Sequence, residues 1–330
     1  MTANAFIVGL AGPRLLPQER EFLRARAPWG LILFARNVET PDQVRLLVAE
    51  ARDALGWHAP VLIDQEGGRV QRLRPPYWPE YPPAEAFGVL YGRAVRLNSR
   101  LIAADLSDLG IDVDCLPVAD LRLPEGHGII GNRAYGETPA QVAALARAAA
   151  GGLLDGGVLP VVKHIPGHGR ARVDSHEHLP VVDTDRAELE RTDFAAFRPL
   201  AHLPLAMTAH VVYAALDAER PATTSRLVMD EIIRGFIGFS GLVMSDDLSM
   251  GALSGSVGER AAASIAAGCD MLLHCNGKLE EMAEVADNAP PLAGLAAERG
   301  DRALALRVVS DRFDVMEARL RLASLLGVSR

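Results

Sequence analysis

The feature that most constrains the fold is a series of eight short apolar runs, each bounded by turn residues. They begin near Ala5, Gly30, Pro60, Ile111, Val158, Leu203, Gly241 and Asp270. Continuous runs of branched apolar residues are typical of strands buried on both faces of a parallel sheet. The stretches between them have helical spacing, as in residues 41–56 and 138–154. Thr138-Pro139 supplies an N-cap followed by proline at the first helical position.

Eight alternations of strand and helix predict an α/β fold of the (β/α)₈ barrel type, with a doubly wound open sheet as the alternative. No linker, charge block or internal repeat divides the chain. We therefore predict a single domain over residues 1–330, with a helical C-terminal extension after about Lys278.

Composition narrows the class of protein. Hydrophobic residues make up 49% and charged residues 23%, which is typical of a globular protein. The 34 basic and 42 acidic side chains give a net charge of −8, which argues against broad nucleic-acid binding but leaves anionic small substrates open. Three scattered cysteines favour a reducing compartment. The stretch 5–10 lacks a preceding basic residue and is too short for a signal peptide, and no apolar run reaches the roughly 20 residues that span a bilayer. We expect a cytoplasmic protein without a membrane span, as a monomer or weak dimer.

A barrel places its active site at the carboxyl ends of its strands. Polar residues follow six of the eight runs, and their convergence on one face favours a catalytic pocket. These candidates are Arg36, Asn37, Asp64, Gln65, Glu66, Lys163, His164, His168, His210, Asp246, Asp247, His274 and Asn276.

Sequence motifs of dinucleotide-binding enzymes, kinases and serine hydrolases give little support to those classes here. Residues 126–131, GHGIIG, have the spacing of a dinucleotide loop, but Leu123-Pro124-Glu125 lies between them and the preceding run, and no helix follows directly. We interpret them as a glycine-rich loop. Walker-type and G-x-S-x-G patterns are absent, which removes the simplest kinase and serine-hydrolase interpretations.

The densest polar segment is 163–178, which contains four histidines and leaves a zinc site open. Another interpretation fits its spacing better. In extended backbone, residues i and i+2 project to the same side, so Asp174 can reach the ring of His176. A carboxylate bonded to one imidazole nitrogen fixes the tautomer and favours the protonated ring, which suits a general acid. A solvated loop without chemistry is the remaining alternative.

Acidic residues after two other runs are further candidates. Asp246 lies where a barrel presents a nucleophile or base, and Asp247 is suited to capping the next segment. Asp64 is followed by Arg69 and Arg72, a set that can hold hydroxyls or an anionic group, although one arginine is expected to form an internal salt bridge. The aromatics of residues 74–83, RPPYWPEYPP, are suited either to stacking on a sugar or to packing under the loop.

With these residues assembled, the chain closely resembles glycoside hydrolase family 3, in particular the single-domain bacterial β-N-acetylglucosaminidases of peptidoglycan recycling. The motifs GLILFARN, IDQEGGRVQRL, GNRAYG, KHIPGHG, DSH and SDDLSM occur in the family's order along almost the whole chain. The resemblance implies a retaining mechanism in which Asp246 is the nucleophile. It also implies His176, paired with Asp174, as the general acid/base, where most retaining glycosidases use a second carboxylic acid.

The resemblance also implies which residues hold the terminal sugar: Asp64, Arg72, Arg133, Lys163 and His164. The implied substrate is a non-reducing N-acetylglucosamine β-linked to (anhydro)muramic-acid peptides, with no metal and no organic cofactor. Departures are Ile165, where phenylalanine is frequent, and Asn132, where an acid is frequent. Arg170 and Arg172 make the 163–178 loop more basic than in many relatives and could attract anionic muropeptides or phosphate.

Three alternatives to a metal-free glycosidase remain at this stage. A phosphorylase would use the same residues with phosphate in place of water. A metal-dependent hydrolase would use the histidine-rich loop. A silent sugar-binding protein would bind without turnover, although Asp174, His176 and Asp246 argue against it.

Overall fold

A closed barrel of eight parallel strands forms the centre of the protein. The computed structural model describes residues 3–88, 92–308 and 313–327. Each of the eight apolar runs contains one barrel strand, so the predicted (β/α)₈ barrel is confirmed and the open sheet is excluded. The strands are β1 (Asn4–Gly9), β2 (Pro28–Leu33), β3 (Val61–Ile63), β4 (Val113–Asp114), β5 (Leu159–Ile165), β6 (Leu205–Thr208), β7 (Leu242–Asp247) and β8 (Met271–His274). Pairing of Phe6 with Leu272 closes the barrel between β1 and β8.

Helices surround the barrel. They are α1 (Pro17–Arg26), α2 (Pro41–Leu55), α3 (Gly92–Asp108), α4 (Pro139–Asp155), α5 (Arg186–Arg191), α6 (Val257–Ala267), α7 (Leu279–Asn288), α8 (Gly294–Leu304) and α9 (Val315–Leu326). Between β6 and β7 the connection is a π-helix, Val228–Phe236. Side-chain caps begin two of the longer helices, because Thr40 and Thr138 each accept a hydrogen bond from the backbone N–H three residues later.

The apolar core has two parts, as expected for strands buried on both faces. Inside the barrel, alternate residues of the strands pack against one another; Ile7, Ile32, Leu62, Val161 and Met244 are examples. Outside the barrel, the other strand residues pack against the apolar stripes of the helices. Because both faces are apolar, the strands read as continuous runs in the sequence.

The helices after β8 have different positions. Helix α7 contacts β1 and β8 and completes the ring around the barrel. Helix α8 covers the amino-terminal end of the barrel, where Leu292 and Ala303 pack into the same cluster as Trp29. Helix α9 lies against α3, with an ion pair from Arg319 to Asp105 at 3.1 Å. The predicted helical extension is therefore present, and it leaves the opposite end of the barrel open.

Two small two-stranded sheets lie at that open end. Residues Gln65–Gly67 and Val70–Gln71 form an antiparallel hairpin directly after β3. Residues Val181–Val182 pair in parallel with Val212–Tyr213, which joins the long loop after β5 to the loop after β6. None of the helices in the three described ranges is long and apolar enough to cross a membrane.

Candidate active site

A polar cavity of about 250 Å³ lies at the carboxyl ends of the strands. That volume is below the ~300–1,000 Å³ of typical drug-sized ligand sites, and it suits one sugar ring better than an oligosaccharide. Seven of the eight predicted site residues line it: Asp64, Arg72, Arg133, Lys163, His164, His176 and Asp246. The eighth, Asp174, lies behind His176 and contacts its ring.

Asp64 holds two cations at the wall formed by β3 and β5. One carboxylate oxygen accepts a hydrogen bond from Lys163 Nζ at 2.7 Å, and the other accepts one from Arg72 Nη2 at 3.0 Å. Burial opposes ionisation of Asp64, but Lys163 and Arg72 outweigh it and hold the pKa of this carboxyl well below its ordinary value. The carboxylate is therefore ionised at neutral pH and can accept hydrogen bonds from substrate hydroxyls.

Glu66 extends this hydrogen-bond network to Arg133, which lies on a loop and not at the end of a strand. Its two oxygens accept hydrogen bonds from Nε and Nη2 of Arg133, each at 2.8 Å, and its Oε1 lies 2.6 Å from Lys163 Nζ. Burial would raise the pKa of Glu66, but Arg133 and Lys163 lower it to about 2. This bidentate pair fixes the guanidinium of Arg133 at the cavity although Arg133 lies on the loop after β4.

Asp120 is a carboxylate that contacts two histidines, as Glu66 contacts Arg133 and Lys163. Its Oδ2 lies 2.7 Å from Nδ1 of His164, and its Oδ1 accepts the backbone N–H of His168 at 2.7 Å. Burial disfavours the charge of Asp120, but His164 and His168 lower its pKa. With Nδ1 bonded to Asp120, the Nε2 edge of His164 is left for the cavity that this ring lines.

Asp246 lies near the carboxyl end of β7. Burial disfavours its charge, but His210 and His164, the backbone N–H of Asp247 and Lys163 together lower its pKa. One oxygen of Asp246 accepts that N–H at 2.8 Å, which orients the carboxylate. An ionised, oriented carboxylate at this position has the properties of a nucleophile.

The neighbouring acid, Asp247, has a structural role. Its Oδ1 accepts the backbone N–H groups of Ser249 and Cys275, both at 3.0 Å, and its Oδ2 accepts the Ser249 hydroxyl at 2.6 Å. Its carboxylate thus closes the turn after β7, in agreement with the capping role suggested by the sequence.

The predicted pairing of Asp174 with His176 is present on the loop after β5. Asp174 Oδ1 lies 2.7 Å from Nδ1 of His176 and also accepts the His176 backbone N–H at 2.9 Å. Partial burial opposes ionisation of Asp174, but these two hydrogen bonds keep its pKa below the ordinary value. The His176 side chain is 61% exposed and lines the cavity, so Nε2 remains accessible to a ligand.

Arg170 anchors the base of the same loop. Its guanidinium binds Asp193 at 2.7 Å, Glu125 at 3.2 Å and Glu188 at 3.3 Å. Burial opposes the charge, but these acids, Asp193 first, raise the pKa of Arg170. The expectation that Arg170 could attract anionic ligands is therefore wrong, because its guanidinium is already surrounded by carboxylates.

Three supporting residues, Asp120, Glu66 and His168, had no specific role in the prediction from sequence. Asp120 was missed because it comes six residues after the end of β4, although an acid that soon after a buried strand was an available signal. Glu66 and His168 were noted only as residues near strand ends. None of the three aromatic residues of the 74–83 stretch lines the cavity. Trp78 and Tyr81 are buried, the Tyr81 hydroxyl donates to Asp105 at 2.6 Å, and Tyr77 is exposed.

The loop histidines have separate partners. His164 contacts Asp120, His168 contacts Ser175, and His176 contacts Asp174. Within the described parts of the chain, no three His, Cys, Asp or Glu side chains are grouped so that they could hold one metal ion.

Comparison with known proteins agrees with this geometry. The profile of the Glycosyl hydrolase family 3 N terminal domain matches residues 12–303. A beta-hexosaminidase of Chromobacterium violaceum is 40% identical over 307 residues, which cover 90% of this chain and 85% of the relative. A beta-hexosaminidase of Methylococcus capsulatus is 42% identical over 275 residues, which cover 81% of each chain.

Among solved structures, NagZ from Neisseria gonorrhoeae in complex with N-trifluoroacetyl-D-glucosamine superimposes with a TM-score of 0.87 at 32% identity, covering 99% of both chains. The family profile, the curated relatives and the barrel agree. The chain therefore belongs to glycosyl hydrolase family 3.

Proposed function

We propose that the protein is a retaining exo-β-N-acetylglucosaminidase that removes non-reducing terminal N-acetylglucosamine from β-1,4-linked (anhydro)muropeptides during peptidoglycan recycling. Family membership makes the chain a glycoside hydrolase, and its relatives make it a β-N-acetylhexosaminidase. The observation that carries the finer proposal is that Asp246 and the His176–Asp174 pair meet at one cavity of single-sugar size.

In the first step, Asp246 attacks the anomeric carbon as the bond to the leaving oxygen breaks. His176 donates its Nε2 proton to that oxygen, and Asp174 stabilises the ring through Nδ1. In the second step, His176 takes a proton from water, the water oxygen bonds to the anomeric carbon, and the ester to Asp246 breaks. Two inversions at the same carbon retain its configuration.

The wall formed by β3 and β5 supplies the sugar-binding groups. Lys163, Arg72 and Arg133 donate hydrogen bonds, the Asp64 carboxylate accepts them, and His164 presents its Nε2 edge. The N-acylglucosamine bound to the Neisseria protein supports a ligand of this kind.

Hydrolysis is better supported than phosphorolysis. A phosphorylase must bind phosphate beside the acid/base, and the predicted sugar-binding cations are already paired with carboxylates. Arg72 and Lys163 bind Asp64, and Arg133 binds Glu66. Anchoring of Arg170 to Asp193 removes a further candidate.

The deciding assay follows release of chromophore from an aryl β-N-acetylglucosaminide, with chelator present and phosphate absent. We expect turnover, with N-acetylglucosamine as product. Turnover that requires added phosphate and yields the sugar 1-phosphate would establish the phosphorylase alternative. Loss of activity that a divalent metal restores would establish the metal alternative.

The covalent step has its own test. We expect Asp246→Asn to lower kcat/KM at least about 10³-fold, because the amide cannot form the glycosyl ester. The matched control is Asp53→Asn, an exposed change on α2. A slow 5-fluoro N-acetylglucosaminyl donor should add one glycosyl unit to wild-type Asp246; continued turnover with no label there would contradict the mechanism.

A further inference from the structure

Ser175 lies between the two members of the acid/base pair and is the buried part of an otherwise exposed loop tip. Its side chain and backbone are 3% exposed, whereas Glu177, His178 and Leu179 are exposed. The Ser175 hydroxyl lies 2.9 Å from Nε2 of His168. Neither residue has a role in the proposed reaction steps.

His168 is a fixed partner for this hydroxyl. Its backbone N–H donates to Asp120, the carboxylate that also orients His164. Its ring stands edge-on to the His164 ring, with the ring centres 5.5 Å apart. Burial, and next the charge of His164, lower the pKa of His168 to about 4, so the ring is neutral at pH 7 and its hydrogen bond to Ser175 joins two neutral groups.

The other side of the loop is bound to the segment after β7, which follows Asp246. The backbone N–H of Ala252 donates to the carbonyl of Ser175 at 3.2 Å, and that of Gly251 donates to the carbonyl of His176 at 3.0 Å. Ser175 therefore lies where the loop meets two walls of the cavity: one that carries sugar-binding groups and one that carries the candidate nucleophile.

We propose that Ser175 is a positioning residue: its hydrogen bond to His168 holds the loop where the Nε2 proton of His176 reaches the leaving oxygen. The inference rests on the proposed function, because it takes His176 as the general acid. Without the hydroxyl, two backbone hydrogen bonds remain, and the tip samples positions in which His176 is too far from that oxygen for proton transfer.

The dependence on the leaving group tests this role. Phenolate departs slowly unless it is protonated, whereas 2,4-dinitrophenolate departs without a proton. We expect Ser175→Ala to lower kcat/KM for phenyl β-N-acetylglucosaminide by about tenfold, the effect of losing one positioning hydrogen bond. For the 2,4-dinitrophenyl glycoside, kcat/KM should stay within about twofold of wild type, because kcat/KM reports only the first step and the sugar-binding wall is unchanged.

The control is Ser264→Ala, which removes a buried hydroxyl that donates to the Arg260 carbonyl within α6. It should leave both rates unchanged. Equal losses on the two substrates, or no loss on the phenyl substrate, would overturn the positioning role while leaving the glycosidase intact. A wild-type enzyme that cleaves neither substrate would instead overturn the proposed function.

A double-mutant cycle identifies the partner. If Ser175 acts through His168, then Ser175→Ala should cost little in a His168→Gln background, and the two changes should not be additive on the phenyl substrate. Full additivity would show that Ser175 acts without His168 and would contradict the inference.

Discussion

At the residue scale, the carboxylate of Glu66 neutralises two buried cations at once. It is 6% exposed and pairs with both Arg133 and Lys163, yet it does not itself line the cavity. Arg133 depends on this contact more than Lys163 does, because Lys163 also binds Asp64. Glu66 thus determines the position of groups that we expect to bind substrate.

We predict that Glu66→Gln lowers the free energy of unfolding by about 3 kcal/mol, because it leaves Arg133 as a buried cation without its counter-charge. We also expect competitive inhibition by N-acetylglucosamine to weaken by about tenfold. Urea denaturation and inhibition kinetics measure the two effects. The exposed substitution Glu21→Gln on α1 is the control, and unchanged inhibition in Glu66→Gln would show that Arg133 is positioned by other contacts.

How far the sequence predicts this site depends on where each residue lies. Asp64 follows β3 directly, and Lys163 and Asp246 lie near the carboxyl ends of β5 and β7, so the barrel itself places them at one end. Arg133 lies on a long loop, and only the family motif indicated it. Asp120 acts by holding other side chains, and such contacts depend on the path of two loops that no local pattern encodes.

At the element scale, the loop after β5 has a fixed base and a supported tip. Arg170 binds α5 and its neighbours at the base, and the Tyr213 hydroxyl donates to the Gly167 carbonyl. At the tip, the carbonyls of His176 and Glu177 lie directly over Gly251, where a Cβ would come within 2.8 Å of both. A side chain at position 251 is therefore incompatible with this loop position.

We predict that Gly251→Ala lowers kcat/KM for the phenyl glycoside by at least about tenfold with little change in melting temperature, since the displaced tip is exposed while the core is untouched. The control is Gly12→Ala, where a Cβ meets no atom within 4 Å. Activity and differential scanning calorimetry provide the measurements. Wild-type activity in Gly251→Ala would show that the loop adapts without losing the position of His176.

Some helices and strands can be predicted from local residue patterns, and others cannot. Eight strands and the capped helices α2 and α4 follow from apolar runs and N-caps, because those signals are local. The position of α8 under the barrel does not, because Ala303 is apolar like many other helix residues, and its partner Trp29 is distant in sequence. The helix before β7 was also not anticipated, although its buried residues Val228, Met229, Ile232 and Ile233 have the spacing of a helical apolar face.

At the scale of the whole molecule, the two ends of the barrel differ: contacts at the amino-terminal end stabilise the fold, and the carboxyl-terminal end carries the candidate site. Its amino-terminal end is closed by α8, and Asp112 binds Arg307 at 2.6 Å and Arg52 at 3.1 Å there. At its carboxyl-terminal end, buried histidines and carboxylates lie around an open cavity. Protonation of these side chains therefore links the stability of the protein to pH.

His168 makes this link measurable. Its ordinary pKa of 6.5 applies to the unfolded chain, and burial lowers the pKa to about 4 in the folded protein. Between these values the unfolded state binds more protons, so the contribution of His168 to the free energy of unfolding falls as the pH falls. The full shift corresponds to about 3 kcal/mol.

We therefore predict that wild type loses stability relative to His168→Gln by about 2–3 kcal/mol between pH 7.5 and pH 4.5, because glutamine does not titrate. Taking the difference between the two proteins cancels the pH-dependent contributions of other groups to the free energy of unfolding. Asp114 is one of these: burial raises its pKa, so its contribution changes with pH in the opposite direction. Urea denaturation at a series of pH values measures it. A difference that stays constant over this range would mean that folding does not change the pKa of His168, and would contradict the burial of this ring in its neutral form.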